Sequence, residues 1–117
     1  MQDDMESILT SIKKTIGGLY EQDETFDADI IMFINSELSV LNQLGIGPEN
    51  GFSIVDKSSK WSELLDDVRL NAVKELITIK VRLVFDTSLP SGYKDVLQSR
   101  AAELEWRMNV MAEQLEE

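Results

Sequence analysis

Any chemistry in this chain would have to run on carboxylates. The 117 residues include no histidine and no cysteine, so the common general base, the thiol nucleophile and the usual zinc ligands are missing. Hydrolysis by a Ser-His or Cys-His arrangement is excluded, and neither disulfides nor thiolate metal sites contribute. What remains is Asp66-Asp67 and the group Asp23, Asp27 and Asp29, whose oxygens suit a hard cation. Neighbours on a helix point in different directions and do not converge on one ion. The acidic loop also lacks the glycine and the terminal glutamate of an EF-hand. Gly45-Ile46-Gly47 lacks a third glycine and a following helix start with lysine, so helix closure explains it better than phosphate binding. Met108 and Met111 have the adaptable chemistry of a binding groove, but at helical spacing they read as core. The residues point to no catalytic, cofactor-binding or metal site. A carboxylate-metal enzyme is left as a minor reading, whose mark would be tight divalent-cation binding.

The elements therefore carry the information. A length of 117 residues reads as one domain, 1–117, with one core. With 43% apolar residues, two prolines and six glycines, the composition is globular and helix-friendly. No apolar run approaches the roughly 20 residues that cross a bilayer, and MQDDMES is acidic where a signal peptide is basic. The chain reads as soluble and made in a cytoplasm, with no membrane partner.

Met5, Ile8, Leu9, Ile12 and Ile16 fall at helical spacing, and Gly17-Gly18 closes that first helix behind Lys13 and Lys14. An acidic loop, LYEQDETFDAD, leads to a second helix with Asp27 and Asp29 in its first turn and a stripe of Phe26, Ile30, Phe33, Ile34, Leu38, Leu41 and Leu44. Gly45 takes the left-handed closing position and Pro48 prevents resumption. GFSI is then either a short β-arm or an extended segment pinned by Phe52, and Ser58 or Ser59 caps a third helix from Trp61 to Phe85, about 37 Å long. That helix has two apolar stripes: Trp61, Leu64, Leu65, Val68, Ala72, Leu76, Ile79 and Leu83, and on another side Leu70, Val73, Ile77, Val81 and Val84. A helix apolar on two sides is central or meets a second subunit. After the breaker DTSLPSG, Tyr93, Val96, Leu97, Ala101, Leu104, Met108, Met111 and Leu115 make the stripe of a fourth helix, with Trp106 and Val110 off it. The expected fold is all-α: a bundle of about four helices with a long central helix and a short extended arm between the second and third.

Charge narrows the partners. The net charge of −11 divides into −7 over residues 1–60 and −4 over residues 61–117. Binding nucleic acid through its phosphates needs clustered lysines and arginines, so this is not a nucleic-acid-binding surface. An acidic surface keeps the protein soluble, meets a basic partner or repels passing DNA.

The wording of several segments is more particular than their physics. MESILTSIKKTIG, TFDADIIMFINSELSVLNQLGIGPENGFSI, KW, KVRLVFD and LEWRMNV, in this order and over nearly the whole chain, resemble the phage head-tail connector family, adaptor proteins of tailed bacteriophages and prophages often described as DNA-packaging proteins. The resemblance implies a non-enzymatic α-helical virion protein, made in the bacterial host cytoplasm and resident at the head-tail junction. It implies a ring homo-oligomer beneath the portal protein, continuing the DNA channel without binding DNA specifically and meeting a stopper or tail-completion protein. A ring needs two different patches on each subunit. Leu70, Val73, Ile77 and Val81 compete for that role with Trp106 and Val110. The stretch Ile46 to Lys60, with Phe52 and Ile54 as anchors and Trp61 at its end, reads as a docking arm that moves on assembly, or else as a buried connecting loop. The alternative function is an acidic helical interaction module that binds a basic protein or mimics DNA.

Overall fold

Ser7 opens the first helix. In the computed structural model, which describes residues 7–116, its hydroxyl accepts the Thr10 N–H at 3.1 Å and caps α1 (Ile8–Ile16). Met5 and the side chain of Leu115, both assigned to core stripes from sequence, lie outside what is described. Gly17, at φ 73°, ends α1 with its N–H on the Lys13 carbonyl. The expected loop begins with a single helical turn, α2 (Gly18–Gln22). Asp23 then accepts the amide and hydroxyl of Thr25 at 2.9 and 2.6 Å, which sets the turn into α3 (Asp27–Gln43). Asp27 and Asp29 occupy the first turn of α3 as expected, and Lys13 pairs with Asp27 at 2.7 Å, joining α1 to α3. At the other end the Ile46 N–H bonds the Leu41 carbonyl (3.1 Å) and the Gly45 N–H bonds that of Asn42 (3.0 Å), with Gly45 at φ 83°. These are the two bonds of a Schellman closure, and Leu41 and Ile46 are both buried beside it.

The 25-residue spine expected from Trp61 to Phe85 is two helices. A one-turn α4 (Trp61–Leu64) stops at Leu65, which is extended at φ −162°, ψ 136°, and α5 (Leu70–Phe85) starts five residues later. The cause is Asp67. Its carboxylate accepts the Arg69 amide at 2.8 Å and grips the Arg69 guanidinium at 2.8 Å, a local turn that competes with helix hydrogen bonding. Nor is Ser58 or Ser59 the cap of α4. The Lys60 amide, at the N-cap, donates to the Glu63 carboxylate at 2.7 Å, while Ser58 folds back on Asp56. The long element is instead α6 (Ser91–Glu116), 26 residues and roughly 39 Å.

α5 is central, with α1, α3 and α6 all packed on it. Leu70, Val73, Leu76, Ile77, Ile79 and Val81 are buried along it, which leaves a strip around Asn71, Glu75, Thr78 and Arg82 near the surface and, at the C-terminal end, Val84, 56% exposed although read as part of the second stripe. Trp61 is 1% exposed and donates its indole N–H to Ser11 Oγ at 2.8 Å, so α4 is fixed to α1 from inside. Ile8 N–H bonds the Ser59 carbonyl at 2.9 Å across the same junction. The class is all-α as expected, with no strand among the described residues beyond an isolated Ser7–Lys60 bridge. Among them no helix is long and apolar enough to cross a membrane.

Candidate assembly surfaces

The second stripe read as a subunit contact is not at the surface. Leu70, Val73, Ile77 and Val81 are buried within their own subunit because α5 is enclosed on three sides. A helix apolar on two sides is here a central helix. Trp106 is the opposite case: it is 66% exposed, on the side of α6 turned away from the buried Leu97, Ala101, Leu104 and Met108, with half-buried Val110 one turn on.

The expected arm is packed down. Ile46, Ile54 and Trp61 are core residues, Phe52 is half-buried against them, and Lys60 is exposed. Asn35 of α3 grips the Ile54 peptide from both sides, accepting its N–H at 2.8 Å and donating to its carbonyl at 2.9 Å. Asn42 donates to the Pro48 carbonyl at 2.9 Å. Gly47, at φ 94°, lies so close to α4 that a Cβ there would sit 3.1 Å from Leu64 Cδ1. In the subunit this segment is a connection pinned at Ile46 and Ile54, with Pro48, Val55 and Lys57 among its exposed residues.

Five residues read as apolar stripe are exposed instead: Val68, Val84, Tyr93, Val96 and Met111. Val68 is 94% exposed because the Asp67 turn swings it out of the helical register, and Tyr93 and Val96 lie at the open edge of the α5–α6 seam, across from Arg82. Together with Met111 they border two open grooves along the α5–α6 seam, of about 390 and 520 Å³. Between the grooves Arg100 makes a two-pronged pair with Glu75, at 2.7 and 2.9 Å, and reaches Glu103 at 3.2 Å. These hydrogen bonds hold the Glu75 carboxyl below its usual range and raise the Arg100 guanidinium further. Arg69 and Arg107 line one groove and Lys74 and Arg82 the other, with the Arg82 guanidinium 5.5 Å from the Tyr93 ring centre. Outside the grooves, Lys80 joins three helices, 2.6 Å from Glu105 of α6 and 3.8 Å from Glu37 of α3. Burial opposes its charge, but the Glu105 hydrogen bond and the two carboxylates outweigh that and raise its pKa.

This is an arginine-rich, partly apolar face whose charges are largely paired. A signal for it lay in the sequence, since seven of the eleven cations follow residue 60. Its pairings, 25 residues apart for Glu75 and Arg100, did not.

The carboxylates read as candidate cation ligands are dispersed. Asp23, Asp27 and Asp29 do not converge: Asp23 serves its own turn, Asp27 faces Lys13, and Asp29 is exposed on α3. Asp66 and Asp67 part at the α4–α5 break, where Asp67 is spent on Arg69. Among the described residues no three carboxylates are placed to hold a metal ion.

Comparison with curated proteins and with solved structures gave no match. The family model described as phage connector protein matches residues 8–115, from the first residue of α1 to the last turn of α6. That span takes in the core, the packed 46–60 segment and the α5–α6 face together, and on it the chain belongs to the phage connector protein family.

Proposed function

We propose that the protein is a structural virion component, a head-tail connector that assembles as a ring beneath the portal protein, continues the DNA channel and supports head completion and tail attachment. The observation that carries this reading is the family match over residues 8–115. The exposed side of α6 supplies the apolar anchor such an assembly needs: Trp106 with Val110 makes the contact between subunits. Covering the exposed two-thirds of an indole removes about 150 Å² from water, worth roughly 3–4 kcal/mol before costs. One contact of that size does not hold two free subunits, since association itself costs about 4–15 kcal/mol. It becomes effective when neighbours are already held on the portal. The stopper or tail-completion protein then meets the ring's other end, and the acidic surface lets DNA pass without adhering.

Negative-stain imaging with and without the matching portal tests the reading. Rings on the portal are the expected result, and Trp106→Glu removes them while the circular dichroism spectrum of the subunit is unchanged. If no ring forms under either condition and the protein instead binds basic proteins as a monomer or dimer, the acidic-module reading takes its place.

A further inference from the structure

We infer that Trp106 and Val110 of one subunit seat on the outer face of α3 of the next, with Met32, Ser36 and Val40 as the receiving surface. The inference rests on the ring reading and names the second half of its contact. Charged residues make up 28% of the chain, yet beyond Asp29 every exposed residue of α3 is uncharged: Met32, Ser36, Ser39, Val40 and Gln43. At 3.6 residues per turn these five share one side, opposite the buried Ile30, Ile34, Leu38 and Leu41. Glu37, the only charged residue between Ile30 and Gln43, lies off this side and is turned to Lys80. Met32 is 70% exposed and Val40 50%, so the strip has an apolar side chain at each end of a small-residue centre.

α6 has the matching feature. Around Trp106 its outer side carries Ser99, Ala102, Asn109 and half-buried Val110. Glu103 borders this side with one oxygen on Arg100 at 3.2 Å and the other on Arg107 at 2.7 Å, and the next carboxylates along it, Asp95 and Glu113, are about three and two turns from Trp106. Two copies of a chain with net charge −11 repel wherever their acidic faces meet, so a self-contact uses uncharged faces. Among the described residues α3 and α6 carry the two that run along a helix for several turns; α1 shows Lys14 and α5 is enclosed. Their shapes also fit each other. The indole projects from α6 among small residues, and on α3 Ser36 and Ser39 let a facing helix come close while Met32 and Val40 flank the inserted ring. Two α6 faces would oppose indole to indole, and two α3 faces would leave Trp106 in water. The patches differ, so the contact is head-to-tail and propagates into a ring. Strips about 18 Å long and about 10 Å wide bury on the order of 600 Å² together, below the roughly 1,200 Å² at which an interface holds free partners, so the contact forms on the portal.

The test sets a charge into the receiving face of the full chain. Ser36 is exposed on α3, so Ser36→Glu keeps the wild-type circular dichroism spectrum, and on the portal it should assemble at least about tenfold more weakly than wild type. Thr10→Glu adds the same charge on the exposed side of α1 and should assemble as wild type does. A photo-cross-linking residue in place of Ala102, one turn from Trp106, should attach to residues 28–43 of the other copy in rings mixed from isotope-labelled and unlabelled chains. Undiminished assembly of Ser36→Glu, an equal loss with Thr10→Glu, or cross-links to another segment or none in rings visible by negative stain overturns this contact and leaves the connector reading standing. Absence of rings for the wild type on the portal overturns both.

Discussion

Asn35→Ala probes the connection that the sequence presents as an arm. Asn35 lies in the middle of α3, half-buried, and makes two bonds to a single residue's backbone: Oδ1 with the Ile54 N–H at 2.8 Å and Nδ2 with the Ile54 carbonyl at 2.9 Å. Ile54 is outside any helix and is itself buried, so backbone groups there need partners from elsewhere. Each bond contributes about 0.5–1.5 kcal/mol, and a buried polar group left without a partner costs about 1–3 kcal/mol. Partial access to water at the half-buried site lowers the sum, and the expected loss is about 2–4 kcal/mol. For a domain of this size each kcal/mol shifts Tm by roughly 3–6 °C, so Tm falls by roughly 6–20 °C.

Urea unfolding followed by circular dichroism measures the loss. Limited proteolysis locates it: in the wild-type subunit residues 46–60 resist cleavage, and in Asn35→Ala they are the first to be cut. A loss under about 0.5 kcal/mol with unchanged protease resistance would refute the pinned connection and restore the free arm. Asn35→Asp sharpens the test by its sign. A carboxylate there still accepts the Ile54 N–H but meets the Ile54 carbonyl with a second oxygen, and only its protonated form can donate. Its folded pKa is therefore raised above the unfolded value near about 3.9. The Asp variant should approach wild type below that unfolded pKa and fall behind as pH rises through the folded one.

Two further substitutions test local accounts. Gly45 and Gly47 both have positive φ, at 83° and 94°, so alanine costs about 1–2 kcal/mol at either; Gly47→Ala should lower Tm more, because its Cβ would press Leu64 Cδ1 whereas Gly45 has open space. The Arg100 hydrogen bonds depress the Glu75 pKa, so this pair adds stability above the unfolded pKa of a glutamate and loses it as pH falls through the lower folded value. Glu75→Gln should flatten that part of the acid limb in pH-dependent melting, and an unchanged limb would show the pair to be idle.

The helices with one apolar stripe and a clear breaker were legible from sequence. α1 and α3 follow their 3.6-residue periods, and Gly45 closes α3 by the two bonds expected of a left-handed glycine. The α4–α5 break was not, because the apolar stripe runs through it in phase: Trp61, Leu64, Leu65, Val68 and Ala72 sit at helical spacing whether or not the chain is helical there. What decides is a side-chain bond from the Arg69 amide to Asp67, and paired aspartates inside an apolar pattern were its only trace. Within α5 the two stripes were seen except at Val84, which is exposed, but they allowed two meanings, and only the packing of α1, α3 and α6 around the helix chose between them. Trp106 stood out since one large residue off a stripe has no place in a single core. The α5–α6 grooves could not be read at all, as they arise where two helices meet.

Core and surface in this subunit follow different rules, and the division bears on assembly. Large apolar side chains of α1, α3, α4 and α5 close on one another and on Trp61, so the subunit needs no partner to complete its core. The exposed apolar residues are thinly spread, and those of the α5–α6 face are interleaved with paired arginines rather than gathered into a dry patch. Such a surface is soluble in the free subunit and costs little to uncover. It is also weak: each ion pair at the rim is worth about 0–1 kcal/mol in water. In the connector proposed above, a subunit folded independently and held by weak contacts would assemble in order on a template, where many such contacts act together and none commits the free protein beforehand.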